Sequence, residues 1–344
     1  MNVLDLFCGC GGLSLGLQNA GFHISLGIDH WEDALKTFKA NHKDSNVYHA
    51  DLAELSFKNI EEKLPQTGVD VIVGGPPCQG FSISGKRDPN DPRNKLYTSF
   101  LGAVEHFKPK AFIMENVPNL ASMNKGKIKE TIRSEFEALG YTLSDKIVLA
   151  SDYGVPQNRR RYVLVGLLNN QHFEFPQSSH TDNKITCYEA ISDLPEMLAI
   201  DQNKYPIPPK SEYQKQLRRN SPGIFNHEIT HHSDKTVSTI SLVPDGGNYK
   251  NLPERLKDTR KVNIAWTRFS STKPSYTIDT GHRHHFHYEY NRVPTVRESA
   301  RLQSFPDDFI FHCSKTSQYK QVGNAVPPIL GEVLGIALKK YLET

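Results

Sequence analysis

Val3-Leu4-Asp5-Leu6-Phe7-Cys8-Gly9-Cys10-Gly11-Gly12-Leu13 begins the chain with a short apolar run, a glycine-rich turn and the start of a helical pattern. Strand, turn and helix follow one another here within eleven residues. Glycines let a backbone approach a ligand without side-chain obstruction, and the helix start beyond them offers free N–H groups to a carboxylate or phosphate. The stretch departs from the Gly-x-Gly-x-x-Gly dinucleotide pattern, because Gly9, Gly11 and Gly12 are followed by Leu13-Ser14-Leu15.

Outward from this turn, strands and helices alternate. Residues 23–28, 47–49, 69–73, 111–114, 147–150 and 162–167 read as strands, and residues 13–20, 32–41, 97–107 and 127–139 as helices. Such alternation predicts an α/β fold with a mainly parallel sheet and helices on both faces. Ligands of such sheets bind at the carboxyl ends of the strands. Asp29 ends the second strand, where a carboxylate can accept hydrogen bonds from ribose hydroxyls, or cap the helix before Glu32. Asp51 follows the third strand and is placed to bond an adenine amino group. Together these strand ends suggest a nucleoside-bearing cofactor.

After about residue 175 prolines, histidines, tyrosines and charges crowd in without long periodic segments, and an irregular loop-and-strand lobe is expected over 176–312. Residues 325–342 read as an apolar helix returning to the first lobe. Residues 203–301 hold 17 Lys and Arg against nine Asp and Glu, a net +8 that leaves −5 for the rest. A basic lobe beside an acidic body suggests a polyanionic partner. His227, His231, His232, His282, His284, His285 and His287 also gather there, but without cysteine pairs no metal is expected. Five widely spaced cysteines, Cys8, Cys10, Cys78, Cys187 and Cys313, argue against a disulfide framework. The N-terminus lacks a signal-peptide pattern. No apolar run approaches the roughly 18 residues of a membrane span. A soluble, cytoplasmic protein is expected.

Gly74-Gly75-Pro76-Pro77-Cys78-Gln79-Gly80-Phe81-Ser82 follows a strand. Paired prolines fix a rigid turn, so Cys78 is a candidate nucleophile. Together with Glu115-Asn116-Val117 and Gln157-Asn158-Arg159-Arg160-Arg161, this stretch resembles the DNA (cytosine-5) methyltransferase family, in its bacterial restriction-modification form. Arg292-Val293-Pro294-Thr295-Val296-Arg297-Glu298, Leu302-Gln303-Ser304-Phe305-Pro306 and Gln321-Val322-Gly323-Asn324-Ala325-Val326-Pro327-Pro328 resemble the family's late signatures in the right order.

The resemblance implies a Rossmann-like S-adenosylmethionine-dependent methyltransferase sheet with a smaller, irregular target-recognition lobe. The boundaries expected are a catalytic and cofactor-binding domain over 1–175, a DNA-binding domain over 176–312, and a C-terminal segment, 313–344, returning to the first. It implies that Cys78 attacks carbon 6 of a flipped cytosine, Glu115 protonates or bonds ring nitrogen 3, Arg161 holds the cytosine carbonyl and orients Glu115, and Arg159 lies close to the nucleophile. S-adenosylmethionine would be held by Phe7, Gly9, Gly11, Leu13, Asp29, His30, Asp51, Leu52, Pro76, Leu96, Asn324 and Val326. Double-stranded DNA would meet Ser82, Arg93, Gln157, Arg268, Arg283 and Arg292, with residues 83–94 closing over the extruded base. A monomer is implied, paired in function with a cognate endonuclease but in no stable complex. Three other readings compete: a transfer RNA cytosine methyltransferase, a silent DNA-binding relative, and a nicotinamide oxidoreductase. The last explains the early glycines but not residues 76–82 or the late signatures.

Overall fold

The computed structural model describes residues 1–66, 68–77, 95–198, 203–257, 266–280 and 285–343. They form two compact units: Met1–Leu149, Arg160–Gln177 and Leu330–Thr344 make the first, and Ala150–Arg159 with Ser178–Ile329 the second. These units depart from the boundaries expected at 175 and 312, since residues 150–159 and 313–329 pack with the second.

The first unit runs β1 (Asn2–Leu6), α1 (Gly12–Asn19), β2 (His23–Asp29), α2 (Glu32–Asn41), β3 (Asn46–His49), α3 (Phe57–Glu61), β4 (Val71–Gly74), α4 (Lys95–Phe107), β5 (Ala111–Asn116), α5 (Lys127–Ala138), β6 (Thr142–Leu149) and β7 (Arg160–Leu167). The strands form one sheet in the order β3-β2-β1-β4-β5-β7-β6. The first five strands are parallel, and β7 is antiparallel to both neighbours. Side-chain alternation explains how both faces are covered. Leu4 and Leu6 of β1 join a core with Phe100 and Val104 of α4 and Ile132 and Phe136 of α5. Asp5, pointing the other way, accepts a 2.5 Å hydrogen bond from Ser14 of α1. Gly74 is required where β4 meets β1, because a Cβ there would lie 2.2 Å from the Leu6 carbonyl oxygen. The short helix α3, capped by Ser56, was not expected from the sequence; five residues are too few to show a period.

The second unit differs from its expected loop-and-strand character. It contains α6 (Cys187–Ile191), α7 (Glu212–Arg218), α8 (Asp234–Ser241), α9 (Glu254–Lys257), a parallel pair of two-residue strands, β8 (Thr267–Arg268) and β9 (His285–Phe286), then α10 (Val296–Leu302) and α11 (Lys315–Asn324). Side-chain caps start most of these helices: Thr186, Ser211, Ser233, Thr295 and Ser314 each accept a hydrogen bond from the backbone amide three residues on. The last helix, α12 (Pro328–Lys339), begins later than expected, with Pro328 at its first position. Among the described residues only the Lys315–Lys339 stretch is long and apolar enough to cross a membrane. It is two helices, interrupted where Ala325 turns extended (φ −65°, ψ 148°).

Buried ions organise the second unit. Arg301, fully buried, donates to both carboxylate oxygens of Asp307 at 2.7 Å and to Asp193 at 2.8 Å. Burial alone would raise the Asp307 carboxyl, but Arg301 and Arg297 outweigh it and hold its pKa below the usual value. Its contribution is therefore present at neutral pH and is lost as the pH falls through that depressed value. Asp307→Ala leaves two buried guanidinium groups short of a counter-ion and is expected to cost about 3–5 kcal/mol. Urea unfolding of the two chains measures this difference.

Candidate active site

The sequence candidates of the first unit gather at one edge of its sheet. The carboxyl ends of β1, β2, β4 and β5 carry Phe7, Asp29, Gly75 and Glu115–Asn116, and β7, running backwards, brings its start to the same edge. Glu115 pairs in register with Val163, so Arg161 is its diagonal neighbour on the same sheet face. Arg161 Nε lies 2.7 Å from Glu115 Oε1. The contact is an ion pair by distance but is not aligned as a hydrogen bond, so this oxygen keeps acceptor capacity. A second Arg161 nitrogen donates to the Arg160 carbonyl at 2.7 Å, which fixes the guanidinium.

Asn116 does work that its position in the sequence does not reveal. Its side-chain amide donates to the Pro76 carbonyl at 2.8 Å, and its Oδ1 accepts from the Val117 amide at 2.9 Å. The end of β5 thereby pins the proline turn that follows β4. Gly75 leaves room for the acid: a Cβ there would lie 3.1 Å from Glu115 Oε2. Cys78, Ser82, Arg93 and the 83–94 loop lie outside the described residues. Burial raises the thiol of Cys8 well above its ordinary value, that of Cys10 to about 12, and that of Cys187 strongly as well, so these three stay protonated.

The glycine turn suits a nucleoside-bearing ligand. Phe7, Gly9 and Gly11 all have positive φ (61°, 54° and 92°), and nothing lies within 4 Å of a Cβ built on Gly9, which leaves an open cradle. Asp29 is buried and first serves the turn itself: Oδ2 accepts from the Gly9 amide and Oδ1 from the Trp31 amide, both at 2.8 Å. Each oxygen retains a lone pair for a ribose hydroxyl. The His30 side chain is 73% exposed, with Nδ1 3.3 Å from Asp29 Oδ1. Asp51 is exposed and caps the Ala53 amide through one oxygen at 2.9 Å. Leu13 and Leu52 are buried, the latter in the core that Leu96 packs against. These residues fit an adenosine-bearing donor, with Asp29 for the ribose, Asp51 for the base and the glycine turn for the methionine part.

The second unit carries the remaining candidates, and three of them are buried within it. Gln157 is fully buried: its amide nitrogen donates to the Leu302 carbonyl and to Gln303, and its oxygen accepts from the Ile278 amide. Arg268 is buried, donating to the Ile240 carbonyl at 2.8 Å, Asn291 at 2.7 Å and the His287 carbonyl at 3.0 Å. Arg292 forms a two-pronged buried pair with Glu298 at 2.7 and 2.8 Å. All three side chains are buried and spend their hydrogen bonds within the unit. With Arg297 and Arg301 also buried, four of the cations behind the +8 count are interior among the described residues. Exposed Lys204, Lys210, Arg219, Lys250 and Lys273 remain at the surface. Arg283, His282 and His284 lie outside the described residues. His227 and His287 are buried within the Arg292–Glu298 network, and burial pushes His287 down to about 4. Among the described residues no three His, Cys, Asp or Glu side chains converge as a metal site. Arg159 is buried and donates to the Gly323 carbonyl at 3.0 Å; Asn324 ends α11, and Val326 lies in the turn before α12.

A sheet of this order, with candidate ribose and adenine acceptors at its carboxyl edge, defines the S-adenosylmethionine-dependent methyltransferase fold. The profile of C-5 cytosine-specific DNA methylases matches residues 1–340, and the chain belongs to that family. It is a DNA (cytosine-5) methyltransferase, and S-adenosylmethionine is its methyl donor. Type II methyltransferase M1.HphI of Haemophilus parahaemolyticus is 40% identical over 343 residues, covering 99% of this chain and 87% of that protein. Type II methyltransferase M.DdeI of Desulfomicrobium norvegicum is 37% identical, covering 100% and 89%. A crystal structure described as a prophage-encoded DNA modification methyltransferase of E. coli superposes with a TM-score of 0.83 at 28% identity, covering all of both chains. Spodoptera frugiperda DNMT2 shares the fold with a TM-score of 0.65 at 17% identity, covering 100% of this chain and 99% of that one.

Proposed function

We propose that the enzyme methylates carbon 5 of a cytosine extruded from a specific duplex DNA sequence, with Cys78 as nucleophile and Glu115 as the acid at ring nitrogen 3. The observation that carries this reading is the Glu115–Arg161 pair beside the Asn116-pinned proline turn. A thiolate is the stronger nucleophile, and cytosine accepts it at carbon 6 when nitrogen 3 is protonated or strongly hydrogen-bonded. Arg161 holds the Glu115 carboxyl in place and offers donors to the cytosine carbonyl; Arg159 adds positive charge that favours a thiolate. S-adenosylmethionine supplies the methyl group as an electrophilic sulfonium. Addition of Cys78 makes carbon 5 electron-rich, so it takes the methyl; loss of the carbon 5 proton to water and departure of Cys78 restore the ring. Phe7, Gly9, Gly11, Leu13, Asp29, His30, Asp51, Leu52, Pro76, Leu96, Asn324 and Val326 are the residues proposed for the donor. The second unit is the proposed DNA-recognition domain, and Arg283 within it and Ser82 and Arg93 of the first unit are proposed to contact DNA.

The names of the relatives support a place in a bacterial restriction-modification system. The enzyme would act in the cytoplasm as a monomer, paired in function with an endonuclease. Bisulfite sequencing of DNA from cells expressing the chain tests the reaction: one cytosine protected within one recurring sequence is expected, and uniform conversion contradicts it. Methyl transfer to transfer RNA but not to duplex DNA would also overturn the proposed substrate. Binding of duplex DNA should weaken steeply with salt, with a log–log slope near −5 for about six phosphates. A flat response removes the phosphate contacts.

A further inference from the structure

We propose that His42 is a positioning residue for the methyl donor, shaping the glycine turn from beneath and so setting cofactor affinity. This rests on the reading of the glycine turn as the donor site. His42 lies just past the C-terminus of α2 (φ −111°, ψ 68°), is 1% exposed and donates its backbone amide to the Phe38 carbonyl at 2.8 Å. Its ring reaches across to α1, where Nδ1 lies 2.6 Å from Gln18 Oε1. The other edge of the ring meets the turn: a Cβ built on Gly11 would lie 2.1 Å from His42 Nε2 and 2.8 Å from the Phe38 ring. The imidazole thus fills the space that any side chain at position 11 would need.

The turn is held from two sides. Asp29 fixes the Gly9 amide at 2.8 Å, and Gly11 donates to the Cys8 carbonyl at 2.9 Å while its own carbonyl starts α1 by accepting from Leu15 at 2.9 Å. His42, its ring tilted 34° against Phe38 with centroids 4.2 Å apart, supports the Gly11 end from below. Burial pushes its pKa down to about 4, so the ring is neutral at pH 7 and adds no repulsion toward a cationic sulfonium. Gly11, at φ 92°, has no side chain of its own to hold it. When the ring is removed, the turn loses its floor while Asp29 still holds its other end.

Calorimetric titration of the full chain with S-adenosylmethionine and S-adenosylhomocysteine tests this, with DNA affinity and the thermal midpoint of the ligand-free chain measured alongside. His42→Ala is expected to raise the dissociation constant for both compounds at least about tenfold and to leave DNA affinity unchanged. His42→Gln, whose amide can still reach Gly11, should recover most of the loss; His42→Asn, which keeps only the shorter reach toward Gln18, should not. If His42→Ala fails to fold, the Gln–Asn contrast decides alone. Unchanged cofactor affinity with a lowered thermal midpoint, or equal affinities for the Gln and Asn variants, overturns the proposal and leaves His42 a packing residue. Gly9→Ala, which places a methyl in the open cradle, separates the two levels. If it too leaves affinity unchanged, the donor does not bind at this turn; if it weakens binding while His42→Ala does not, only the role of His42 falls.

Discussion

A Cys78→Ser enzyme is expected to bind S-adenosylmethionine with near-normal affinity and to lose methyl transfer by at least about a thousandfold, some 4 kcal/mol of barrier. A serine hydroxyl is a weak nucleophile without a dedicated base, whereas a few per cent of a free thiol is ionised at neutral pH. The three buried cysteines of the described residues cannot stand in. Cys8, Cys10 and Cys187 are buried with raised thiol pKa values. The two halves of the expectation separate because the donor's proposed ligands on β1 and β2 do not depend on residue 78. Filter-binding of labelled cofactor beside a methyl-incorporation assay measures both. Retained turnover would contradict the nucleophile assignment.

Glu115→Gln is expected to slow the single-turnover methylation rate by about 100- to 10,000-fold, the usual range for loss of a positioned acid or base. Glutamine preserves the volume above Gly75, where the acid's Oε2 has its space. It removes both the proton that would reach ring nitrogen 3 and the charge that pairs with Arg161. DNA and cofactor dissociation constants should change little, so rates measured at saturating concentrations isolate the chemical step. A near-normal single-turnover rate would leave nitrogen 3 to another donor.

Much of the first unit was legible in the sequence because its signals are local. The 2–29 stretch contains an apolar strand, a glycine turn, a helical period and a second apolar strand, and each takes its expected place within one or two residues. The expected helix over 32–41 is observed as α2. The second unit was less legible because its order is set by partners distant in sequence. Arg268 and Arg292 look like surface cations in the sequence, yet Arg268 finds its acceptors 19 to 28 residues away, and Arg292 donates to the Glu196 carbonyl 96 residues away. A buried charge survives only when such partners are supplied, and no pattern around the arginine announces them. Gln157 is similar: the carbonyl and amide it serves lie more than 120 residues further on. The short helices of this unit could have been inferred from their Ser and Thr caps, but five to seven residues give no hydrophobic period to confirm them. His42 was silent for another reason: its importance lies in the shape of a space that only the folded turn defines.

The proposed mechanism turns on a transient bond between the Cys78 sulfur and carbon 6 of the target cytosine. Duplex DNA carrying 5-fluorocytosine within the methylated sequence tests it most directly, because fluorine cannot leave as the carbon 5 proton does and the adduct persists after methyl transfer. Incubation with S-adenosylmethionine, proteolysis and peptide mass spectrometry should place the modified nucleotide on Cys78, within the peptide spanning 74–82. An adduct on any other residue, or none despite methyl transfer to the fluorinated base, contradicts this mechanism.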